Sequence, residues 1–436
     1  MAGKDVALDA KARFNEIWGI LKKHNLDEKN ATPEKVVALL QDLGPTFIKL
    51  GQIASTHPEL IPKEYCDALG KLRTKVEPMD IGTVKTQIEN ELGAPVDELF
   101  AEFDEKPVGS ASIAQVHRAM LLDGSTEVAV KVQRPGVIET VSNDLAILDE
   151  VVKMYAYTSS EDEGMSLKKL VDELGRTSRE ELDFRTEAGN LERFYANNYE
   201  REGVTSPKYY AEVSTPAILV EDFFRSPAAE KIDELELADD ERDKLAYLVS
   251  YNYLQQVLED GFFHADPHAG NVLVTTYEKT EAGVRTTADG QIVETEKTEV
   301  LHGVQWIDFG MMGVMNAKDR NKFEELIGAI VKRDAYALKR AVLRVAKPRG
   351  AIDHTKLLAF CDDLVTEASG ADLESIDTGA LMNRLTEGLE KYGFELSPFL
   401  VTLGRGLVTL QGTVRLISPR LSLMQVMKDY LESTID

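Results

Sequence analysis

The chain has 436 residues, of which 43% are hydrophobic and 29% are charged, so it can form two folded domains and is neither disordered nor fibrous in composition. Asp and Glu total 75 against 50 Lys and Arg, and the formal net charge of −25 offers no overall attraction to nucleic acid. The same charge opposes docking on an anionic membrane except through a local basic patch. Cys66 and Cys361 have no metal-type spacing, which favours a reducing compartment.

The sequence contains no pattern typical of secretion or of a membrane span. An acid, Asp5, lies where a signal peptide needs its apolar run, and Arg405 and Arg415 interrupt the most apolar late stretch, 399–417. We therefore expect a cytoplasmic protein without a transmembrane segment, with peripheral contact at the inner face of a membrane left open.

Helices are predicted over residues 6–56. Thr32 can cap a helix whose first position is Pro33, and Gly44-Pro45 ends one helix and begins the next. A further helix is predicted over 80–99.

Strands are predicted from about Pro107, followed by alternating longer elements. A β-hairpin over 113–122 and 127–133 is indicated by its turn and by the alternation of Val128, Val130 and Val132. The remaining predicted elements are helices over 137–155, 166–195 and 245–258, a strand over 217–220 that leads into Glu221 and Phe223, a strand over 272–274, an exposed hairpin over 277–300 centred on Asp289-Gly290, and helices from 317 onward.

Three residues have the spacing of a magnesium site for phosphoryl transfer. Asp266 precedes Asn271 by five residues, as a catalytic-loop Asp precedes a metal-binding Asn in kinases, and Asp308-Phe309-Gly310 supplies a second carboxylate. Each motif alone is weak evidence for a kinase site, but the two motifs together in this order are strong evidence. His264 and His268 could suggest a transition metal, although two such histidines without further ligands are more often structural.

Val128-Ala129-Val130-Lys131 is typical of the strand whose Lys holds nucleotide phosphates. A Lys between valines also commonly lies on the solvent face of a strand. Here the functional interpretation is favoured because the motif precedes the catalytic loop. The turn-rich segment before it, Gly109, Ser110, Ala111 and Ser112, stands where kinases have a Gly-rich phosphate loop.

Two acids compete as the helix partner of Lys131. Ser178 to Glu181 fits a capping box, which would give Glu181 a role at a helix start. Asp183 and Glu187 are four residues apart and share one helix face. We favour Glu187 for the pair, with Glu181 and Asp183 nearer the metal or nucleotide, and an acidic solvated face remains the alternative for each.

Together these residues resemble the UbiB/AarF/ADCK family of atypical kinase-like proteins. The resemblance runs from residue 47 to 310 and rests on the following segments: FIKLGQ at 47–52, ASIAQVH at 111–117, VAVKVQRP at 128–135, ELDFR at 181–185 with Glu187-Ala188, 263–271, and Asp308-Phe309-Gly310.

The resemblance implies an α+β, bilobal protein-kinase-like fold with an N-terminal helical extension packed over the active site and a mainly helical C-lobe. We expect the extension over 1–78, an N-lobe with inserted helices over 79–221, and a C-lobe over 222–436 that contains the hairpin insertion. Lys49 and Gln52 of the extension would face the nucleotide. The resemblance also implies ATP and Mg²⁺ as cofactors and a role in isoprenoid-quinone or other lipid metabolism, with an isoprenoid lipid or quinone-pathway proteins as partners.

The chain departs from the family pattern at several positions. Gly109 and Ser110 replace two alanines of the phosphate loop, Ala269 replaces a proline, and the hairpin before Asp308 is long. No Ala-Pro-Glu signature follows Gly310, so the peptide platform of ordinary protein kinases is not evident.

We therefore expect an atypical kinase or ATPase with Asp266, Lys131 and Glu187 as catalytic residues. A non-catalytic, nucleotide-switched lipid- or protein-binding pseudokinase is the alternative. A small-molecule phosphotransferase of the antibiotic-kinase type is disfavoured by the N-terminal extension.

Overall fold

A computed structural model describes residues 2–26, 30–55, 61–72, 77–156, 161–286, 292–370 and 377–433. The helices are α1 Ala2–His24, α2 Pro33–Leu43, α3 Pro45–Ala54, α4 Lys63–Leu69, α5 Ile81–Leu92, α6 Val96–Leu99, α7 Val137–Ala156, α8 Glu161–Leu182, α9 Phe184–Asn198, α10 Asp239–Gln255, α11 Ala317–Val331, α12 Ala335–Val345, α13 His354–Gly370, α14 Thr378–Lys391, α15 Pro398–Ile417 and α16 Leu423–Ser433. The strands are β1 Phe100–Phe103, β2 Gly109–Ser110, β3 Ala114–Leu121, β4 Glu127–Gln133, β5 Val204–Thr205, β6 Ile218–Asp222, β7 Phe262–His264, β8 Val272–Thr286, β9 Ile292–Trp306, β10 Met312–Val314, β11 Ala346–Pro348 and β12 Phe394–Leu396.

These elements form two compact units. The first comprises residues 1–188 and 209–223, and the second comprises 189–208 and 224–436, so the boundary falls within α9. The division into three parts at residues 78 and 221 remains a prediction.

An antiparallel sheet is the centre of the first unit. Its strand order is β1-β3-β4-β6, and β2 pairs with β3 at the side of the phosphate-loop segment. Val128, Val130 and Val132 are fully buried on one face of β4, where Val84 and Ile88 of α5 pack against the same apolar cluster. The predicted hairpin and its buried face are thus confirmed, while β1 begins earlier than Pro107 and was missed.

The N-terminal helices pack against the long helices of the same unit. Ile53 of α3 shares an apolar cluster with Leu170 and Leu174 of α8. The helix boundaries at Pro33 and at Gly44-Pro45 are confirmed, but the Thr32 side chain makes no capping hydrogen bond. Pro33 at the first helical position therefore defines the start of α2 without a side-chain cap.

The helix predicted over 166–195 is interrupted at Asp183. Ser178 and Glu181 lie inside the last turns of α8, so the predicted capping box at Ser178 is wrong. The new helix begins at Phe184, where the Asp183 carboxylate accepts the backbone N–H of Arg185 at 3.1 Å. An Asp side chain that bonds the backbone two residues ahead competes with helix continuation, which accounts for the break.

The second unit combines small sheets with a helical majority. β7 pairs antiparallel with β10, β11 pairs with β12, and β5 joins the long β8–β9 hairpin. β8 continues to Thr286, far beyond the predicted 272–274. The predicted turn at Asp289-Gly290 lies outside the described residues.

α15 covers the apolar late stretch 399–417 and is largely buried within the second unit. Among the described residues, no helix is both long and apolar enough to cross a bilayer.

Candidate active site

Lys131 and Glu187 form an ion pair in the first unit. Lys131 lies in the middle of β4, opposite Val116 of β3 and Leu219 of β6. Its Nζ donates to both carboxylate oxygens of Glu187, at 2.9 and 2.7 Å, and lies 5.3 Å from the centroid of the Phe184 ring. The Lys131 side chain is 28% exposed and that of Glu187 is 9% exposed. The carboxylate therefore fixes an ammonium group that still reaches solvent.

Arg134 braces the phosphate-loop segment. Its guanidinium donates to the Ser110 hydroxyl at 2.8 Å, to the Ala111 carbonyl at 3.0 Å and to the Glu77 carbonyl at 2.9 Å. A Cβ added at Gly109 would meet nothing within 4 Å. The sequence shows Arg134 within a family motif, but only the structure shows that it binds this loop.

Lys49 of α3 forms an ion pair with Glu181 near the end of α8. The Gln52 side chain donates instead to the Leu72 carbonyl at 3.1 Å, and Asp183 pairs with Arg185 at 2.6 Å. Hydrogen bonding from Arg185 lowers the pKa of Asp183. The structure thus brings Lys49 and Glu181 together, whereas Gln52 and Asp183 bind other groups.

Glu221 and Phe223 lie at the end of β6 and just beyond it. Glu221 is in register with Ala129 of β4, and the Phe223 backbone N–H donates to the Glu127 carbonyl at 3.0 Å. Their assignment to nucleotide binding remains a prediction.

In the second unit, Asp266 and Asn271 belong to one hydrogen-bonded loop. The Asn271 side-chain amide donates to the backbone carbonyl of Asp266 at 3.1 Å, and its backbone N–H donates to the His268 carbonyl at 2.8 Å. The Thr413 hydroxyl of α15 donates to the Pro267 carbonyl at 2.8 Å. The loop is therefore held from both sides, while the Asp266 side chain is 47% exposed.

His264 orients the start of this loop as a buried, neutral imidazole. Its Nδ1 accepts the backbone N–H of Asp266 at 3.2 Å, so the proton lies on Nε2, which donates to the Ile307 carbonyl at 3.1 Å. Burial lowers the pKa of His264 from its ordinary value of 6.5. Gln256 accepts the His264 backbone N–H at 3.1 Å and donates to Asn252 at 2.8 Å. Sequence reasoning missed this polar chain because no local pattern connects its members.

Asp308 adopts an unusual backbone conformation for a residue with a side chain. Its φ is +63°, and the following Phe309 is fully buried against Phe194, with ring centroids 4.7 Å apart. Asn190 of α9 donates to the Phe309 carbonyl at 2.9 Å. The buried Phe309 ring and the Asn190 amide together stabilise this left-handed backbone conformation, which costs free energy in residues other than glycine.

The donor chemistry of the second unit fits magnesium. Asp266 and Asp308 supply carboxylate oxygens, and because the amide nitrogen of Asn271 donates within the loop, its amide oxygen is the atom left for a cation. Both ring nitrogens of His264 are engaged by backbone groups, so His264 and His268 do not form a transition-metal pair. Within the described part of the chain, no cluster of three or more His, Cys, Asp or Glu has the arrangement of a metal site.

Comparison with known proteins identifies the family. The profile of the ABC1 atypical kinase-like domain matches residues 71–342, and that of the UbiB helical domain matches residues 361–422. The chain belongs to the ABC1/UbiB family of atypical kinase-like proteins. This result confirms the resemblance drawn from the motifs between residues 47 and 310.

Two further proteins are similar to this chain. An uncharacterized protein in the hydrogenase 1 5′ region of Clostridium pasteurianum is 28% identical over 416 residues, which is 95% of this chain and 73% of that protein. The structure of an Rv3197–erythromycin complex from Mycobacterium tuberculosis is similar over 88% of this chain and 94% of that one, with a TM-score of 0.52 and 21% identity. The second likeness supports the α+β, bilobal kinase-like fold.

Proposed function

We propose that this ABC1/UbiB-family protein is a MgATP-dependent atypical kinase or ATPase. The observation that carries the proposal is the bidentate Lys131–Glu187 ion pair, because protein kinases use such a pair to hold the Lys against nucleotide phosphates. In this account Lys131 binds the phosphates and Glu187 orients Lys131. The braced segment from Gly109 to Ser112 contributes backbone groups, and Glu221 and Phe223 contribute to adenine-side binding.

The second unit would supply the reaction centre. Asp266 is the general base, or the acid that orients an attacking water, because its side chain is exposed while its backbone is fixed on both sides. Asn271 and Asp308 would hold Mg²⁺, which neutralises phosphate charge when it is bound. The Asn271–Asp266 hydrogen bond sets the relative position of the proposed base and the proposed ligand.

The acceptor is water in an ATPase and a second substrate in a kinase. Family membership supports a role in isoprenoid-quinone or other lipid metabolism.

A nucleotide-switched binding protein is the second candidate, and the Lys49–Glu181 ion pair favours it. Glu181 belongs to the acidic segment proposed to meet metal or nucleotide, and in this structure it binds α3 instead. In such a switch, MgATP would compete for these charges and change the position of α3.

An ATP turnover assay distinguishes the two candidates. Steady phosphate release that requires Mg²⁺ and falls at least 100-fold in Asp266→Asn and in Asp308→Asn supports the enzyme. Asp172→Asn, which changes an exposed carboxylate on α8, is the matched control and should retain turnover. Tight MgATP binding without turnover, with or without added lipid, would instead support the switch.

A further inference from the structure

The long β8–β9 hairpin of the second unit has an outer edge that its own sheet covers only at one end. The two strands pair over their whole length without a register shift. On the side away from β8, β9 pairs with β5 at Val304 and Gln305, and among the described residues no strand continues this pairing toward the hairpin turn. An uncovered edge is a template for pairing with another strand unless its side chains oppose that pairing.

The backbone direction identifies which residues of β9 face this edge. The Val304 N–H donates to the Gly203 carbonyl at 2.8 Å, on the β5 side of the strand. Because backbone groups alternate in direction along a strand, Thr298 and Val300 point their N–H and C=O groups to the same side. Both side chains are exposed, and that of Val300 is 61% exposed. The edge therefore presents backbone donors and acceptors together with β-branched side chains, which favour strand pairing.

The sequence of β9 is complementary to itself about Thr298. Residues 296–300 have the sequence EKTEV, so two antiparallel copies aligned at Thr298 place Lys297 of each opposite Glu299 of the other. Directly opposed charges of unlike sign stabilise an antiparallel pair, and like charges destabilise it. Moving the two-fold axis by one residue would oppose two Lys297 residues or two Glu299 residues. The charges therefore favour one register, whose paired run, 294–302, ends before the segment that β5 covers.

The opposite edge of the hairpin has a similar pattern with less available charge. Residues 278–282 of β8 have the sequence EKTEA. Lys279 in this segment already pairs with Glu202 at 2.9 Å. Ala282 occupies the position that Val300 has in β9, and alanine favours strands less than valine does. We therefore assign the contact to the β9 edge.

We propose that two copies of this chain associate by antiparallel pairing of β9 with β9 about Thr298. The two hairpins would form one continuous sheet with two-fold symmetry, and a two-fold contact closes after two copies. Because a single strand edge is a small interface, we expect a weak dimer with a Kd on the order of 10–100 µM. This inference is independent of the proposed ATP chemistry.

Sedimentation equilibrium of the full-length chain tests the proposal with a pair of proline variants. Thr298→Pro removes an N–H that points away from β8, so it should weaken association at least tenfold while the β8–β9 ladder is retained. Thr280→Pro is the matched control. Thr280 lies directly opposite Thr298, with the two hydroxyl oxygens 3.1 Å apart, and its N–H points to the outer side of β8. This control should leave the Kd within twofold of the wild type.

Two charge variants test the self-complementarity itself. Between two copies, Lys297→Glu opposes acids with acids and Glu299→Lys opposes cations with cations, so each variant alone should associate at least tenfold more weakly. An equimolar mixture of the two variants restores unlike charges at each opposed position and should recover association to within threefold of the wild type. Recovery in the mixture cannot come from variants that have lost the hairpin. Urea unfolding midpoints of all four variants verify folding.

The following results would overturn the proposal. The wild type stays monomeric at concentrations tenfold above the expected Kd, which would leave this edge to a strand of another protein. Thr280→Pro weakens association as much as Thr298→Pro does, or the charge mixture associates no better than its components. Assemblies that grow beyond a dimer with concentration would also overturn it, because they require head-to-tail pairing of β8 with β9.

Discussion

The Lys131–Glu187 pair gives a quantitative test of the first unit. Lys131→Met would leave a carboxylate that is 9% exposed without its cation, whereas Glu187→Gln would leave an ammonium group that is 28% exposed. Loss of one partner costs about 3–5 kcal/mol in a fully buried pair, and exposed pairs contribute about 0–1 kcal/mol. For this intermediate burial we expect a coupling energy of about 1–3 kcal/mol in a double-mutant cycle.

The assay is urea unfolding of the wild type, both single variants and the double variant, followed by circular dichroism. The exposed pair Lys168–Asp172, with 56% and 62% exposed side chains at 3.1 Å, is the control and should show a coupling energy below about 0.5 kcal/mol. The two losses should also be non-additive for ATP turnover. Simple additivity in both measurements would refute the claim that Lys131 and Glu187 act as a unit.

Two further predictions concern the pH dependence of stability and the packing of α3. Burial lowers the pKa of His117 and of His264 below 6.5, so below that pH the unfolded chain takes up more protons than the folded chain. Stability should therefore be highest above pH 6.5 and fall as the pH is lowered further, by at most about 1.4 kcal/mol per histidine for each pH unit. His264→Gln should reduce this slope in urea titrations. Gly51→Ala should destabilise the fold by about 1–3 kcal/mol because its Cβ would lie 2.6 Å from Leu72, whereas Gly109→Ala has open space and should change the thermal midpoint little. A pH-independent unfolding midpoint, or equal midpoints for the two glycine variants, would contradict these arguments.

Local patterns in the sequence predicted the parts of the fold that depend on local chemistry. The valine alternation of β4 and the turn before it predicted the hairpin because both signals act between near neighbours. The spacing of Asp183 and Glu187 predicted that both carboxylates share one helix face, which is wrong because Asp183 lies between α8 and α9. The choice of Glu187 as the partner of Lys131 agrees with the observed ion pair. Glu187 was the better choice because it lies one turn inside α9, whereas Asp183 lies before the helix begins.

Features set by distant contacts could not be predicted in the same way. The Ser178 to Glu181 pattern has the composition of a helix start, but packing of Leu174 against α3 and α7 keeps this segment inside α8. Gln52 binds the Leu72 carbonyl, a contact across 20 residues. The polar chain from Asn252 through Gln256 to His264 depends on neighbours that only the folded unit brings together.

Calorimetric titration with MgATP tests the central claim most directly. The account predicts that the wild-type protein binds ATP with an affinity that depends on Mg²⁺, that Lys131→Met weakens binding at least tenfold, and that Asp308→Asn abolishes most of the Mg²⁺ dependence. Asp172→Asn should bind as the wild type does. The assignment of an ATP site to these residues would be contradicted if the wild type gave no heat of binding. It would also be contradicted if Lys131→Met and Asp308→Asn both bound MgATP with the affinity and Mg²⁺ dependence of the wild type.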